Sequence, residues 1–94
     1  MTEQEFPMVD VLRVKALSEY RLWLRFSDGH EGVCDLKTLV FSGGPMFEPL
    51  RDATFFSRVF VEMGSPTWPN GLDLDAIKIY MELRAAGLLD RAAA

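Results

Sequence analysis

The side chains that carry most enzyme chemistry are sparse in this sequence, which has one histidine, His30, and one cysteine, Cys34. A metal site needs three or four ligands, and a nucleophile needs a base beside it. His30 follows the glycine of a predicted turn without a neighbouring ligand, so we interpret it as a solvated hairpin residue. We therefore predict no catalytic residue, no metal site, no cofactor and no enzymatic activity.

Cys34 lies in the middle of a predicted strand, on its apolar side. Desolvation raises the pKa of a thiol, so we expect an unreactive core residue. A lone cysteine cannot form an internal disulfide, and no secretory signal pattern is present, which together predict a cytoplasmic protein. No apolar run approaches the ~20 residues of a membrane span, so we expect no membrane association.

Two further patterns could bind ligands. Asp73 and Asp75 stand two residues apart before a predicted helix, where they could hold a divalent cation or share a proton. The simpler role for Asp75 is to cap that helix. Gly43-Gly44-Pro45 could approach a phosphate, but the frame of a phosphate loop is missing, which favours a flexible loop.

The second predicted strand presents two cations and an aromatic ring on its polar side: Arg21, Trp23 and Arg25. Arg13 and Lys15 add two cations on the strand before it. Cations with an aromatic that can stack on a base are typical of a nucleic-acid surface. The alternative is a solvated sheet face, with Glu31 and Asp35 pairing across strands. The formal net charge of −4 disfavours a phosphate-rich partner.

The tetrapeptide Trp68-Pro69-Asn70-Gly71 is the most specific local pattern. Proline and asparagine suit the two central positions of a type I turn, and glycine accepts a left-handed exit. A turn anchored by a core tryptophan explains all four residues. The alternative is a recognition surface that extends to Asp73.

Alternation of apolar and polar residues predicts three strands, at residues 9–17, 21–26 and 30–36, which form an antiparallel meander. Ser27-Asp28-Gly29 should form the second turn. We expect one apolar face in the first strand, made of Leu12, Val14 and Ala16. We expect a single buried face in the other two strands, made of Leu22, Leu24, Phe26, Cys34 and Leu36.

The rest of the chain alternates short helices and strands. A helical turn is predicted near residues 35–41, and a short helix at 49–56, with Asp52 as a cap for its last turn. Strands are predicted at 58–62 and 67–68, and the turn between them is predicted at Gly64-Ser65-Pro66. A helix over 76–86 should begin at Asp75 and end before Gly87.

These elements define one α+β domain at residues 9–87, between a polar lead at 1–8 and a tail at 88–94. Its small antiparallel sheet, a three-stranded meander plus two short strands, packs with a short helix and a C-terminal helix. This length and an apolar fraction of 49% suit a single core.

Several blocks together resemble a small bacterial domain-of-unknown-function family, DUF2442. They are Tyr20-Arg21-Leu22, Phe26-Ser27-Asp28-Gly29, Phe47-Glu48-Pro49-Leu50 and Trp68-Pro69-Asn70-Gly71-Leu72-Asp73-Leu74-Asp75. The resemblance implies a small α+β fold and offers no catalytic residues to carry over. Members of that family are often encoded beside another small protein, in what looks like a toxin–antitoxin pair. Some members carry an added DNA-binding helix-turn-helix domain, and we expect this sequence to be too short to include one.

The sequence thus predicts a non-enzymatic protein-interaction module, antitoxin-like, with a small partner protein encoded nearby or with a second copy of itself. The alternative is a nucleic-acid-binding or transcription-regulatory accessory domain, which the net charge disfavours. The candidate interaction surface comprises Arg21, Trp23, Arg25, Trp68, Pro69, Asn70, Gly71 and Asp73.

Overall fold

Strands and short helices alternate along residues 8–92, which are the part of the chain that the computed structural model describes. The strands are β1 (Val11–Leu17), β2 (Arg21–Phe26), β3 (His30–Asp35), β4 (Phe60–Glu62), β5 (Ser65–Thr67) and β6 (Asp90–Arg91). The helices are α1 (Lys37–Ser42), α2 (Ala53–Phe56) and α3 (Ala76–Ala85). Short 3-10 segments occupy Ser18–Tyr20 and Pro45–Arg51. Most of the predicted polar lead, residues 1–7, lies outside the described residues.

The predicted meander is present, since β1, β2 and β3 are antiparallel neighbours in that order. Gly29 has a φ of 93°, which explains the glycine after Asp28 in the β2–β3 turn. The β1–β2 loop is less ordinary, because Glu19 and Tyr20 adopt φ values of 60° and 62° without being glycine. The hydroxyl of Tyr20 donates to the carbonyl oxygen of Arg51, and this contact anchors the loop.

One face of the meander forms the core, as the alternation predicts. Leu22, Leu24 and Phe26 have no exposed surface, and Leu36 is buried as well. Cys34 lies on the same face but is only half-buried. The prediction fails at Leu12, which is 57% exposed, because a bulge shifts the register between residues 11 and 13 and buries Val11 instead.

The β4–β5 hairpin differs from its predicted form. Its turn is Met63-Gly64, with φ values of 52° and 78°, as in a two-residue hairpin loop of type I′. The predicted turn residues Ser65 and Pro66 instead belong to β5, which pairs with β4 and, through Thr67, forms a single bridge with Asp73. Proline fits in this short strand at the edge of its sheet, where the Pro66 carbonyl still accepts a hydrogen bond from the N–H of Leu74.

Both predicted helix caps are confirmed. The side chain of Asp52 accepts a hydrogen bond from the backbone N–H of Thr54 at the start of α2. Asp75 accepts from the N–H groups of Ile77 and Lys78 at the start of α3. At the other end of α3, Gly87 has a φ of 74°, and the next N–H reaches back to the carbonyl of residue 83, which completes a Schellman motif.

The helix α3 packs closely against β3. A side chain at Gly32 would place its Cβ 2.8 Å from the carbonyl oxygen of Leu88 and 3.2 Å from Leu83 Cδ1, so the contact requires glycine. The chain then forms β6, which pairs with β3 through His30 and Arg91. Within the segment predicted as a tail at 88–94, whose last two residues lie outside the described ones, β6 therefore adds a fourth strand to the sheet.

We expect Asp75→Ala to lower the free energy of unfolding by about 1 kcal/mol, because two N–H groups of α3 lose their acceptor. Asp73→Ala is the matched control, since Asp73 is exposed and precedes the cap. Urea unfolding should separate the two variants. Equal midpoints would contradict the capping role.

Candidate functional site

The residues that alternate with the core residues form the opposite face of the meander, which we call the outer sheet face. Strand register arranges them in three rows across β1, β2 and β3. The rows are Arg13–Arg25–Glu31, Lys15–Trp23–Val33 and Leu17–Arg21–Asp35. None of these nine residues is buried, so the structure brings the predicted Arg21, Trp23 and Arg25 together on an accessible face.

Charge is unevenly distributed over the chain. Four of its ten Lys and Arg residues lie on the outer sheet face, against two of its fourteen Asp and Glu residues. The face therefore has a formal charge of +2 in a chain whose formal charge is −4. A partner that approaches this face meets the opposite sign of charge from one that approaches the rest of the molecule.

Trp23 is held in place at the centre of this face. The guanidinium of Arg25 lies 5.9 Å from the centroid of its ring, within the range of a cation–π contact. The same guanidinium forms an ion pair of 3.1 Å with Glu31 on β3. The half-buried indole is thus flanked by a fixed cation on a strand, and its exposed part needs little further ordering on binding.

A cleft opens where the outer sheet face reaches the free edge of β1. We call it the β1 cleft and define it by Arg13, Lys15, Leu17, Trp23, Val59, Phe60 and Val61, with Val14 at its inner wall. Its volume is about 680 Å³. Phe60, which the sequence reasoning missed as a site residue, is 39% exposed. Its place between two valines, Val59 and Val61, in the strand predicted at 58–62 contains that signal.

The Trp68-Pro69-Asn70-Gly71 segment is a structural turn. The indole of Trp68 is completely buried, and its N–H donates to the carbonyl oxygen of Phe56 at 2.9 Å. Gly71 N–H donates to the Trp68 carbonyl, and Gly71 has a φ of 91°, as the turn chemistry predicts. Asn70 donates to the carbonyl of Met46 at 3.0 Å.

These contacts leave Trp68 out of the candidate surface, because a buried indole offers no contact area. Pro69, Gly71 and Asp73 remain exposed, beside a second depression that Phe60 also lines. Phe60 therefore borders both parts of the predicted surface, the outer sheet face and the turn.

A side-chain network that sequence reasoning missed joins the β2–β3 turn to α3. Asp28 accepts hydrogen bonds from the hydroxyl of Tyr80 at 2.6 Å and pairs with His30 Nδ1 at 2.9 Å. Partial burial would raise the pKa of Asp28, but the hydrogen bonds from Tyr80 and His30 outweigh it and lower the pKa to about 2. The bond to the Asp28 carboxylate, together with burial, raises the pKa of Tyr80. His30 is thus half-buried and paired rather than solvated.

In the Gly43-Gly44-Pro45 loop, which was a candidate phosphate site, a backbone carbonyl is used in a contact within the fold. Gly43 is an acceptor for the guanidinium of Arg51, which also bonds the carbonyl of Val40. Within residues 8–92, no three His, Cys, Asp or Glu side chains group closely enough to hold a metal ion. No helix in that range has the length and apolar character that a membrane crossing requires.

Comparison with known proteins agrees with this architecture. Residues 11–85 match the family described as "Protein of unknown function (DUF2442)", and the chain belongs to that family. No curated protein matches the chain.

A similar solved structure is that of a putative DNA binding protein from Nitrosomonas europaea ATCC 19718. The TM-score is 0.61 at 28% sequence identity, and the match covers 72% of this chain and 44% of that protein. The likeness therefore spans less than half of the relative.

We expect Cys34 to react slowly with a thiol reagent in the folded state. Burial, together with the nearby carboxylates of Glu82 and Asp35, raises the pKa of its thiol to about 11. At pH 8 the thiolate fraction should be about 100-fold lower than in urea. Labelling at equal rates in buffer and in denaturant would contradict this.

We expect Asp28→Asn to cost about 1 kcal/mol of stability at pH 6, a value that allows for solvent screening of a side chain that is 32% exposed. Because the folded pKa of Asp28 is depressed, its contribution is complete above pH ~4 and disappears as the pH falls towards 2. The difference from wild type should shrink over that interval. Asp90→Asn, on exposed β6, is the control; a difference that stays constant from pH 6 to 2 would refute the assignment.

Proposed function

We propose that this protein is a non-enzymatic interaction module that binds another protein through the outer sheet face. The observation that carries the proposal is the contrast between the two faces of one meander. One face is closed by the core, and the other keeps nine accessible residues with a tryptophan at the centre. Such a surface supplies contact area on rigid strands.

The chemistry of the face suits a protein partner. Binding energy in protein interfaces concentrates in Trp, Tyr and Arg near the centre of the contact. Trp23 lies between Arg21 and Arg25 along β2, and the strand pairs on both sides hold it in place. The ion pair of Arg25 with Glu31 keeps one cation oriented beside the indole.

The partner we propose is a small protein encoded nearby, with this chain in an antitoxin-like role. Support comes from the family resemblance, because members are often encoded in such pairs. The absence of a nucleophile paired with a base among the sequence candidates supports a binding role over a catalytic one. A cytoplasmic location fits the lone free cysteine.

A nucleic-acid-binding accessory domain is the second candidate. Two observations favour it: the outer sheet face is basic and carries a tryptophan, and the similar solved structure is described as a putative DNA binding protein. Against it, the chain is acidic overall, and phosphate-driven binding depends on many cations.

We expect Trp23→Ala to weaken binding of the product of the adjacent gene at least tenfold, which is about 1.4 kcal/mol. Met46→Ala is the matched control, since Met46 is 47% exposed and lies outside the outer sheet face. Calorimetry on variants with native circular dichroism should give the affinities. Unchanged affinity in both variants would reject the outer sheet face as the interface. Salt-dependent oligonucleotide binding that Trp23→Ala abolishes, without any protein binding, would favour the second candidate.

A further inference from the structure

The β1 cleft lies along the edge of β1 that faces away from β2. Along Arg13–Leu17, β1 pairs with β2 on one edge, and no strand of residues 8–92 pairs with the other. At the start of β1, the backbone N–H of Val11 donates a hydrogen bond to the carbonyl oxygen of Gly64 at 2.9 Å. The β4–β5 hairpin also packs against β1, so the template for an added strand is the stretch of this edge towards Leu17 that the hairpin leaves unpaired.

The opposite wall of the cleft is apolar. It is lined by Val59, which precedes β4, and by Phe60 and Val61 of β4. Among the described strands, β4 pairs with β5 alone. Phe60 and Trp23 thus offer two partly exposed rings to anything that lies along β1. An apolar side chain on the inner face of an added strand would meet Val14.

Two cations of the cleft form no ion pair with any residue of 8–92. Within residues 8–92, the side chains of Arg13 and Lys15 form neither an ion pair nor a hydrogen bond, in contrast to Arg25 with Glu31. They stand two residues apart on β1, so both point to the same side of the strand. Two acidic side chains with that same spacing on an added strand would face them.

We infer that the β1 cleft binds an extended acidic segment of a partner protein as an added strand on β1. Backbone hydrogen bonds to the free edge supply the pairing, and Arg13 and Lys15 select alternate acidic residues. The apolar residues between them point to the other face of the added strand, on the side of Val14. This inference rests on the proposed function and names the chemistry of the partner.

The dimensions suit a short peptide. From residue 13 to residue 17 a strand extends about 13 Å, the length of four or five paired residues. A volume of about 680 Å³ lies within the range of pre-formed ligand sites. A peptide matches the alternating donors and acceptors of a strand edge, which a sugar–phosphate backbone does not.

The test is a titration of the isotope-labelled protein, followed by amide chemical shifts, with an acetylated hexapeptide of alternating Glu and Val. We expect shifts at residues 13–17 and at Phe60, with a Kd below about 1 mM. The double variant Arg13→Glu, Lys15→Glu should weaken binding at least tenfold and should bind a Lys–Val peptide instead. Lys37→Glu, Lys78→Glu is the matched control, with the same change of charge on exposed helix positions.

Two further probes separate the mechanisms. N-methylation of alternate peptide bonds removes the donors of an added strand, so it should abolish binding while the side chains stay the same. Equal binding of the methylated peptide, equal binding of Lys–Val by the wild type, or no shifts along β1 at about 1 mM would overturn the inference. Tighter binding of a thymidine oligonucleotide at the same residues would overturn it too. Capture of the adjacent gene product that depends on Trp23 but leaves the β1 amides unchanged would refute the cleft and leave the proposed function standing.

Discussion

Leu22, Leu24 and Phe26 have no solvent exposure, and the pleat of β2 sends the residues between them to the opposite face. This coupling fixes the core and the candidate interface at once. A shift of one residue in register would bury Arg21 and Trp23 and expose the leucines, at a cost that the domain could not sustain. The position of Trp23 is therefore as strongly determined as the core, although Trp23 itself is not part of it.

Alternation and capping were readable from sequence because they depend on neighbours along the chain. The meander, the caps at Asp52 and Asp75 and the turn ending at Gly71 are of this kind. The bulge at Leu12 and the strand at Asp90 depend on distant contacts, and no local pattern specifies them. The predicted register accordingly places Arg21, Trp23 and Arg25 together on one accessible face, whereas Trp68 is buried, as a turn anchored by a core tryptophan requires.

The Trp68-Pro69-Asn70-Gly71 motif contributes to packing, because its tryptophan is part of the core. The indole of Trp68 packs against Phe56 at 5.7 Å between centroids and bonds the carbonyl of that same residue, so one side chain joins α2 to the segment after β5. The surface beside it, at β1 and Phe60, has no comparable sequence signature, because exposed residues need not satisfy any packing constraint.

Both ends of the described chain are fastened to a single turn. Asp10 exchanges hydrogen bonds with Ser27, while Ala92 N–H donates to the carbonyl of Gly29. Because residues 10 and 92 both lie at this turn, a short linker between them can close the described part of the domain. This makes it a suitable subject for circular permutation, with new termini opened at the exposed Gly44. The same geometry lets the domain be inserted into a loop of another protein while β1 and its free edge stay intact.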